Sequence, residues 1–136
     1  LEAKGVTAEA YVSARNELTK VMRDVGRFME GYDILVSPTM GILPLQAGIY
    51  NPFSRPNMSV HDWVLERRRW SGNTAMCNVT GQPSITVPLE QSESGLPIGI
   101  ELDGRVGEDS LVLCLAAQLE RAKPWMDRRP RIYAGE

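Results

Sequence analysis

The chain has 136 residues, which is enough for one domain with a hydrophobic core. Its composition, 43% hydrophobic and 24% charged, is that of an ordinary soluble globular protein. A net charge of −2 gives no electrostatic reason to expect a nucleic acid or an anionic membrane as a partner. No apolar run approaches the roughly 20 residues of a membrane span and no signal peptide is visible, so we expect a cytoplasmic protein with reduced thiols at Cys77 and Cys114.

The first part of the chain predicts a helix followed by a strand. From residue 7 to residue 30, apolar residues recur at spacings of three and four, which is the pattern of an amphipathic helix. Thr7 is its predicted N-cap and Gly31 its terminating residue. Residues 34–37 are apolar without alternation, as expected of a strand that is buried on both sides. The chain begins with Leu1 rather than methionine, and we expect a piece of a longer polypeptide.

The middle of the chain predicts a long loop and a second helix. Residues 38–58 contain several glycines and prolines, and such a loop is either functional or a mobile surface segment; the sequence leaves both open. Residues 59–78 predict a helix that begins at Ser59, with Asp62 as the acidic partner in its cap. The arginines at 67–69 span most of a helical turn and cannot all face one phosphate, so we interpret them as a solvated face.

The last part of the chain predicts two strands and a helix. The strands, at residues 84–87 and 98–102, are each entered through a proline and are joined by a polar linker. Residues 109–121 predict a helix that is apolar nearly all round and therefore largely buried, and residues 123–136 predict a surface tail. The order of elements predicts an α/β fold for residues 1–136 as a single region, with a mixed β-sheet flanked by α-helices on both faces.

Three motifs occur in a fixed order along the chain. The first is Tyr-Asp-Ile-Leu-Val-Ser-Pro-Thr at residues 32–39. The second combines Asn78 and Thr80-Gly81 with Pro-Ser-Ile-Thr-Val-Pro at residues 83–88, and the third is Gly-Leu-Pro-Ile-Gly at residues 95–99 followed by Gly104-Arg105. Together they resemble the C-terminal signature of the amidase signature hydrolases. The resemblance implies the C-terminal portion of the amidase signature fold.

Enzymes of that family are known for hydrolysing amides with a Ser–cis-Ser–Lys triad and without a metal or organic cofactor. In the family these residues lie upstream of the segment that matches here, and this sequence has no paired-serine run. Its three lysines, Lys4, Lys20 and Lys123, match no catalytic position. The resemblance therefore implies that this chain alone is inactive and that its partner is a missing N-terminal catalytic region of the same protein. The implied substrate of the whole enzyme is a small amide.

The resemblance also implies a supporting role at the substrate pocket. The loop after the first strand would border the substrate entrance, and the end of the second helix would line the acyl or leaving-group pocket. For Trp70, packing in the core is the alternative. The substrate-binding residues predicted in this way are Thr39, Met40, Gly41, Ile42, Trp70 and Cys77.

Other chemistry has less support in the sequence. His61 and Cys77 are 16 residues apart, roughly 24 Å along a continuous helix, which excludes a catalytic dyad unless the helix breaks. One histidine and two separated cysteines do not make the usual four-ligand set, so we expect no metal and no other cofactor. Two other functions remain open. One is a non-catalytic module that forms a homo-oligomer through exposed strand edges and apolar faces. The other is a tRNA-dependent amidotransferase, whose catalytic chain belongs to a branch of the same family.

Overall fold

The computed structural model describes residues 5–49, 57–72 and 74–130. None of the helices in this part of the chain is both long and apolar enough to cross a membrane. The α/β class predicted from the sequence is confirmed. In chain order the elements are α1 (Ala8–Met29), β1 (Ile34–Pro38), α2 (Val60–Trp70), α3 (Thr74–Thr80), β2 (Ser84–Gln91), β3 (Pro97–Gly104) and α4 (Asp109–Ala122).

The helix starts follow the capping chemistry of the sequence. The hydroxyl oxygen of Thr7 accepts a hydrogen bond from the backbone N–H of Ala10 at 3.1 Å. The Ser59 hydroxyl oxygen accepts from the backbone N–H of Asp62 at 3.0 Å, and its proton is donated to the Asp62 carboxylate at 2.7 Å. Each cap satisfies one of the N–H groups that the first turn of a helix leaves without a partner. The predicted N-caps Thr7 and Ser59 are confirmed, whereas the cap predicted at Asp109 or Ser110 is wrong, because α4 follows Glu108 and has no side-chain cap.

The sheet has β3 at its centre, with β1 on one side and β2 on the other. Both pairings are antiparallel, so the described residues contain no parallel pair of the mixed sheet predicted from the sequence. Val36 of β1 lies opposite Leu102, and Val87 of β2 lies opposite Ile100. The β2–β3 register shifts between Val87 and Glu90. This irregularity contains Pro88, which has no backbone N–H to donate to a neighbouring strand.

Different helices cover the two faces of the sheet. On one face Ala116 of α4 packs with Val87 and Leu102 in the buried core. On the other face Cys77 of α3 lies against two carboxylates of β3, and α1 packs on α3. The predicted placement of helices on both faces is confirmed. Partly buried apolar residues around the core are Ile34, Ile85, Leu89, Ile100, Leu115, Leu119 and Trp125.

Three sequence predictions are wrong in detail. The helix predicted at residues 59–78 is two helices, because α2 ends at Trp70 and Gly72 adopts a positive φ of 56° that a helix cannot continue through. Strand β1 is not buried on both sides: it pairs with β3 alone in the described part of the chain, and Val36 is 60% exposed. Helix α4 buries only the side toward the sheet, and Leu113 is 60% exposed.

Candidate functional site

The loop that follows β1 is held against the central strand. The backbone N–H of Thr39 donates to the carbonyl oxygen of Gly99 at 3.0 Å, which extends the β1–β3 pairing by one residue. The Thr39 hydroxyl donates to the Thr86 hydroxyl at 3.2 Å, on the far strand β2. Thr39 therefore anchors the start of the loop across the full width of the sheet.

Two glycines bring the same loop against the junction of α2 and α3. The N–H of Gly41 donates to the carbonyl oxygen of Trp70 at 3.0 Å, and a Cβ at position 41 would lie 2.5 Å from the carbonyl oxygen of Arg69. A Cβ at Gly72 would lie 2.8 Å from the carbonyl oxygen of Thr39. No side chain fits at either position without backbone movement. The close approach of loop and helix end therefore depends on glycine.

Two grooves, called the loop grooves below, flank this segment. The first, of about 350 Å³, lies between the loop and the start of β3 and is lined by residues 40–44 and 97–99. The second, of about 380 Å³, lies between the loop and the α2–α3 junction, with Arg67, Trp70, Ser71 and Thr74 in its lining. Met40 and Ile42 line both grooves. The lining is mostly apolar, which suits the hydrocarbon part of a ligand.

Four of the six residues predicted to bind substrate come together at the loop grooves. These are Met40, Gly41, Ile42 and Trp70. Thr39 anchors the loop beside them, whereas Cys77 lies apart, buried on the sheet. The sequence reasoning missed Pro97-Ile98-Gly99, which faces the loop. The pairing of β3 with β1 brings this segment to the residues that follow Pro38, and the sequence analysis predicted no strand pairing.

Polar chemistry at the loop grooves is sparse. No lysine, histidine, cysteine or carboxylate belongs to the described residues that line them. Among the described lining residues Arg67 alone is charged, and its guanidinium carbon lies 4.7 Å from the centre of the Trp63 ring, within cation–π distance. The Thr74 hydroxyl donates to the carbonyl oxygen of Ser71 at 2.8 Å. These grooves can bind an apolar group, but they contain no base beside a nucleophile.

A separate polar cluster lies beneath α3. Cys77, Glu101 and Asp103 are all buried, with 8%, 3% and 0% of their surfaces exposed. The Ser84 hydroxyl lies 3.1 Å from Oε1 of Glu101 and 2.6 Å from Oδ1 of Asp103. Burial, helped by the nearby Asp103 carboxylate, raises the pKa of Cys77 to about 12. The same two causes, in the same order, raise the pKa of Glu101.

Cys77 is therefore not an activated nucleophile. A reactive cysteine needs a lowered pKa, supplied by a nearby positive charge or a helix N-terminus, and the environment here acts in the opposite direction. The helix break at Gly72 removes the distance argument against a dyad with His61. His61 is nevertheless exposed on α2, whereas Cys77 is buried against carboxylates of the sheet. That Cys77 has no catalytic role stays a prediction.

Comparison with known proteins identifies the class. The family model described as Amidase matches residues 1–113, so the chain belongs to the amidase family. The putative amidase AmiC of Mycobacterium tuberculosis is 39% identical over 100 residues, which are 73% of this chain and 20% of that protein. The structure of 6-aminohexanoate cyclic dimer hydrolase superposes with a TM-score of 0.71 at 33% identity, covering 95% of this chain and 27% of that one. A glutamyl-tRNA(Gln) amidotransferase structure from Thermotoga maritima shares the fold, with a TM-score of 0.64 at 23% identity, covering 85% of this chain and 23% of that one.

The chain spans about a fifth to a quarter of the length of the relatives it matches. The resemblance to amidase signature enzymes drawn from the sequence motifs is confirmed, as is the correspondence of this chain to their C-terminal part.

Proposed function

We propose that the protein to which this chain belongs hydrolyses a carboxylic amide, and that this chain supplies one wall of the substrate pocket and part of the central sheet. The observation that carries the proposal is the family match over residues 1–113, which includes the loop that forms both loop grooves. The names of the relatives support the reaction, since an amidase and a cyclic-dimer hydrolase of 6-aminohexanoate both cleave amide bonds.

The reaction we propose is acyl transfer to a serine and then to water. The serine hydroxyl, deprotonated through a second serine by an unprotonated lysine, attacks the amide carbonyl carbon, and the amine leaves with a proton. Water then attacks the acyl ester and releases the acid. Backbone N–H groups stabilise the oxyanion of each tetrahedral intermediate. We place the Ser–cis-Ser–Lys triad outside residues 1–136, because the sequence has no paired-serine run and none of its three lysines matches a catalytic position of the family.

The role of this chain in that reaction is to bind the hydrocarbon part of the amide. Met40 and Ile42 present apolar side chains to both loop grooves. Each methylene group of a substrate that leaves water for such a surface contributes about 0.8 kcal/mol to binding. Arg67 and the Ser71 hydroxyl at the rim provide the polar groups that orient a ligand. The grooves thus favour an amide with an aliphatic or aromatic part over a small polar amide.

The test compares this chain with a polypeptide that joins it to the preceding region of its protein. We expect the 136-residue chain to show no turnover of an aryl amide and no labelling by a fluorophosphonate, a reagent for activated serines. The longer polypeptide should be labelled at a serine outside these residues. Labelling of a serine within residues 1–136, or amide turnover by the chain alone, contradicts the proposal.

The pocket role has its own test in the longer polypeptide. Met40→Ala should raise KM for an aryl amide with little change in kcat, because Met40 contacts the substrate equally in the ground state and in the transition state. Met126→Ala is the matched control, since Met126 is 75% exposed and lines neither groove. An unchanged KM for Met40→Ala contradicts a pocket role for the loop.

A second candidate function is self-association of the chain. The observation that favours it is a set of large apolar residues exposed on α1, together with the outer edges of β1 and β2, which are unpaired in the described residues. We propose a homo-oligomer that buries this set.

Val21→Glu should shift the chain toward monomer in sedimentation velocity, whereas Thr19→Glu, the same charge change at a polar position, should not. A wild-type chain that stays monomeric at high concentration contradicts this function. The exposed set on α1 consists of Tyr11, Val12, Leu18, Val21, Met22 and Phe28.

The amidotransferase alternative has support from the fold alone. The Thermotoga maritima structure resembles this chain at 23% identity, a level at which no contact with tRNA carries over. The surface adds nothing to it, since the basic residues after α4 form a short patch. We therefore favour hydrolysis of a small amide.

A further inference from the structure

Three metal-ligating side chains converge in the cluster beneath α3. Cys77 comes from α3, and Glu101 and Asp103 come from one face of β3. The Cys77 sulfur and one carboxylate oxygen from each of the other two lie within 4.8 Å of one another. All three residues are more than nine-tenths buried. The loop grooves have none of them in their linings, so this cluster is a distinct site.

The cluster has more acceptor oxygens than donors. In the described part of the chain, Oε2 of Glu101 and Oδ2 of Asp103 are buried and have no hydrogen-bond partner. The other oxygen of each carboxylate contacts the same hydroxyl, that of Ser84. The Cys77 thiol also hydrogen-bonds to Asp103, so the thiol and the hydroxyl have two protons between them for the four carboxylate oxygens. Buried polar groups are normally satisfied, and an exception calls for an unseen proton, water or ion.

A further hydroxyl points to the same face of the sheet. Ser37 of β1 lies directly opposite Glu101 in the strand register, and directly opposite residues share a face. The Ser37 hydroxyl is buried without a hydrogen-bond partner in the described residues. The site therefore combines one thiol, two carboxylates and two hydroxyls.

We propose that this cluster is a structural binding site for a divalent cation of the zinc class, with the Cys77 thiolate and the Glu101 and Asp103 carboxylates as ligands. A thiolate ligand selects zinc over magnesium or calcium, which prefer oxygen ligands alone. Tetrahedral zinc places its ligand atoms about 3.3–3.8 Å apart, so side-chain rotations from the present separation of up to 4.8 Å bring them into range. A water held by the Ser37 or Ser84 hydroxyl completes the coordination.

The consequence of binding is a clamp between α3 and the sheet. The ligands join a seven-residue helix to the central strand, and α1 in turn packs on α3. Binding releases the Cys77 proton, and any proton shared by the carboxylates, to solvent. The site lies away from the loop grooves, so metal binding there is independent of amide hydrolysis.

Cobalt provides the direct test, because Co²⁺ bound to a thiolate gives a charge-transfer absorption in the near ultraviolet. We expect the 136-residue chain, freed of metal with a chelator, to bind one Co²⁺ with this absorption and to lose it when zinc is added. Cys77→Ser should remove the absorption and weaken zinc binding by more than about 100-fold. Cys114→Ser is the matched control, because Cys114 is exposed and outside the cluster. Glu101→Gln should weaken binding as well, and Glu93→Gln should not.

Several results overturn the inference. They are the absence of the cobalt–thiolate absorption in the unmodified chain, its survival in Cys77→Ser, and its loss in Cys114→Ser. Far-ultraviolet circular dichroism shows whether a variant has folded. If Cys77→Ser does not fold, the unmodified chain still decides the question: zinc should slow alkylation of Cys77, followed by mass spectrometry, and leave Cys114 unaffected. Equal rates with and without zinc at Cys77 refute the site.

Discussion

Replacing Gly41 by alanine tests how the loop grooves are built. A Cβ at this position would lie 2.5 Å from the carbonyl oxygen of Arg69, closer than real Cβ contacts come, so the loop must move by at least about 0.5 Å. The movement strains or breaks the hydrogen bond from Gly41 N–H to the Trp70 carbonyl oxygen, a loss of about 1 kcal/mol. Together with the steric term, Gly41→Ala should lower the free energy of unfolding by about 1–3 kcal/mol.

Urea unfolding of the 136-residue chain, followed by circular dichroism, measures this change. Gly26→Ala is the matched control, because a Cβ there meets nothing within 4 Å and the position lies inside α1. Since alanine is the better helix former, the control should be stabilised by about 0.5–1 kcal/mol. Equal unfolding midpoints for Gly41→Ala and the wild type would show that the loop does not pack against α2 as described.

Three further predictions concern titratable groups. Burial first, and then the Asp103 carboxylate, raises the pKa of Glu101 above its ordinary 4.5, so the folded state holds this proton at a pH where the unfolded state has lost it. The free energy of unfolding should therefore fall as the pH rises from 4.5 through the pKa that Glu101 has in the folded state. With a chelator present to remove metal, Glu101→Gln should be more stable than the wild type at pH 7 but not at pH 4. Flat difference curves in urea unfolding at the two pH values contradict this. The pKa of Cys77 is about 12 against the ordinary 9.0, so at neutral pH this residue has about a thousandfold less thiolate than an ordinary cysteine. Iodoacetamide should therefore modify the exposed Cys114 long before Cys77 in the metal-free chain. If mass spectrometry finds Cys77 modified first, the buried placement of Cys77 is refuted. The ion pair with Lys123 lowers the pKa of Glu90, and Lys123→Gln should return it toward 4.5 in a carboxyl NMR titration, whereas Lys20→Gln should leave it where it is.

Local patterns predicted the helix starts and the strands well. The apolar spacing of α1 and the capping hydroxyl groups of Thr7 and Ser59 involve residues that are at most a few positions apart. These local interactions determine where a helix begins, and they can be identified from the sequence alone. The break after Trp70 was missed because periodicity continued on both sides of it. The left-handed conformation at Gly72 reflects the approach of Thr39, which is distant in sequence.

The candidate site was predicted only in part, because it depends on contacts between residues that are distant in the sequence. Residues 40–42 and Trp70 were placed together by resemblance, and the structure brings them to the loop grooves. Glu101 and Asp103 alternate with Ile100 and Leu102 in β3, which is the pattern of a strand with one solvated face. In the structure both acids are buried and lie with Cys77 of α3, so this face of β3 is not solvated as its alternation suggests.

The central position of β3 sets an order for folding. Ile34 and Gly104 are partners in the sheet although they are 70 residues apart, and β1 pairs with no strand but β3 within the described residues. Within this chain, β1 therefore meets its strand partner only after β3 has been made. Pairings between such distant segments form slowly, and a waiting apolar strand is prone to join other chains. A chain that ends before Pro97 should consequently aggregate more readily than the 136-residue chain.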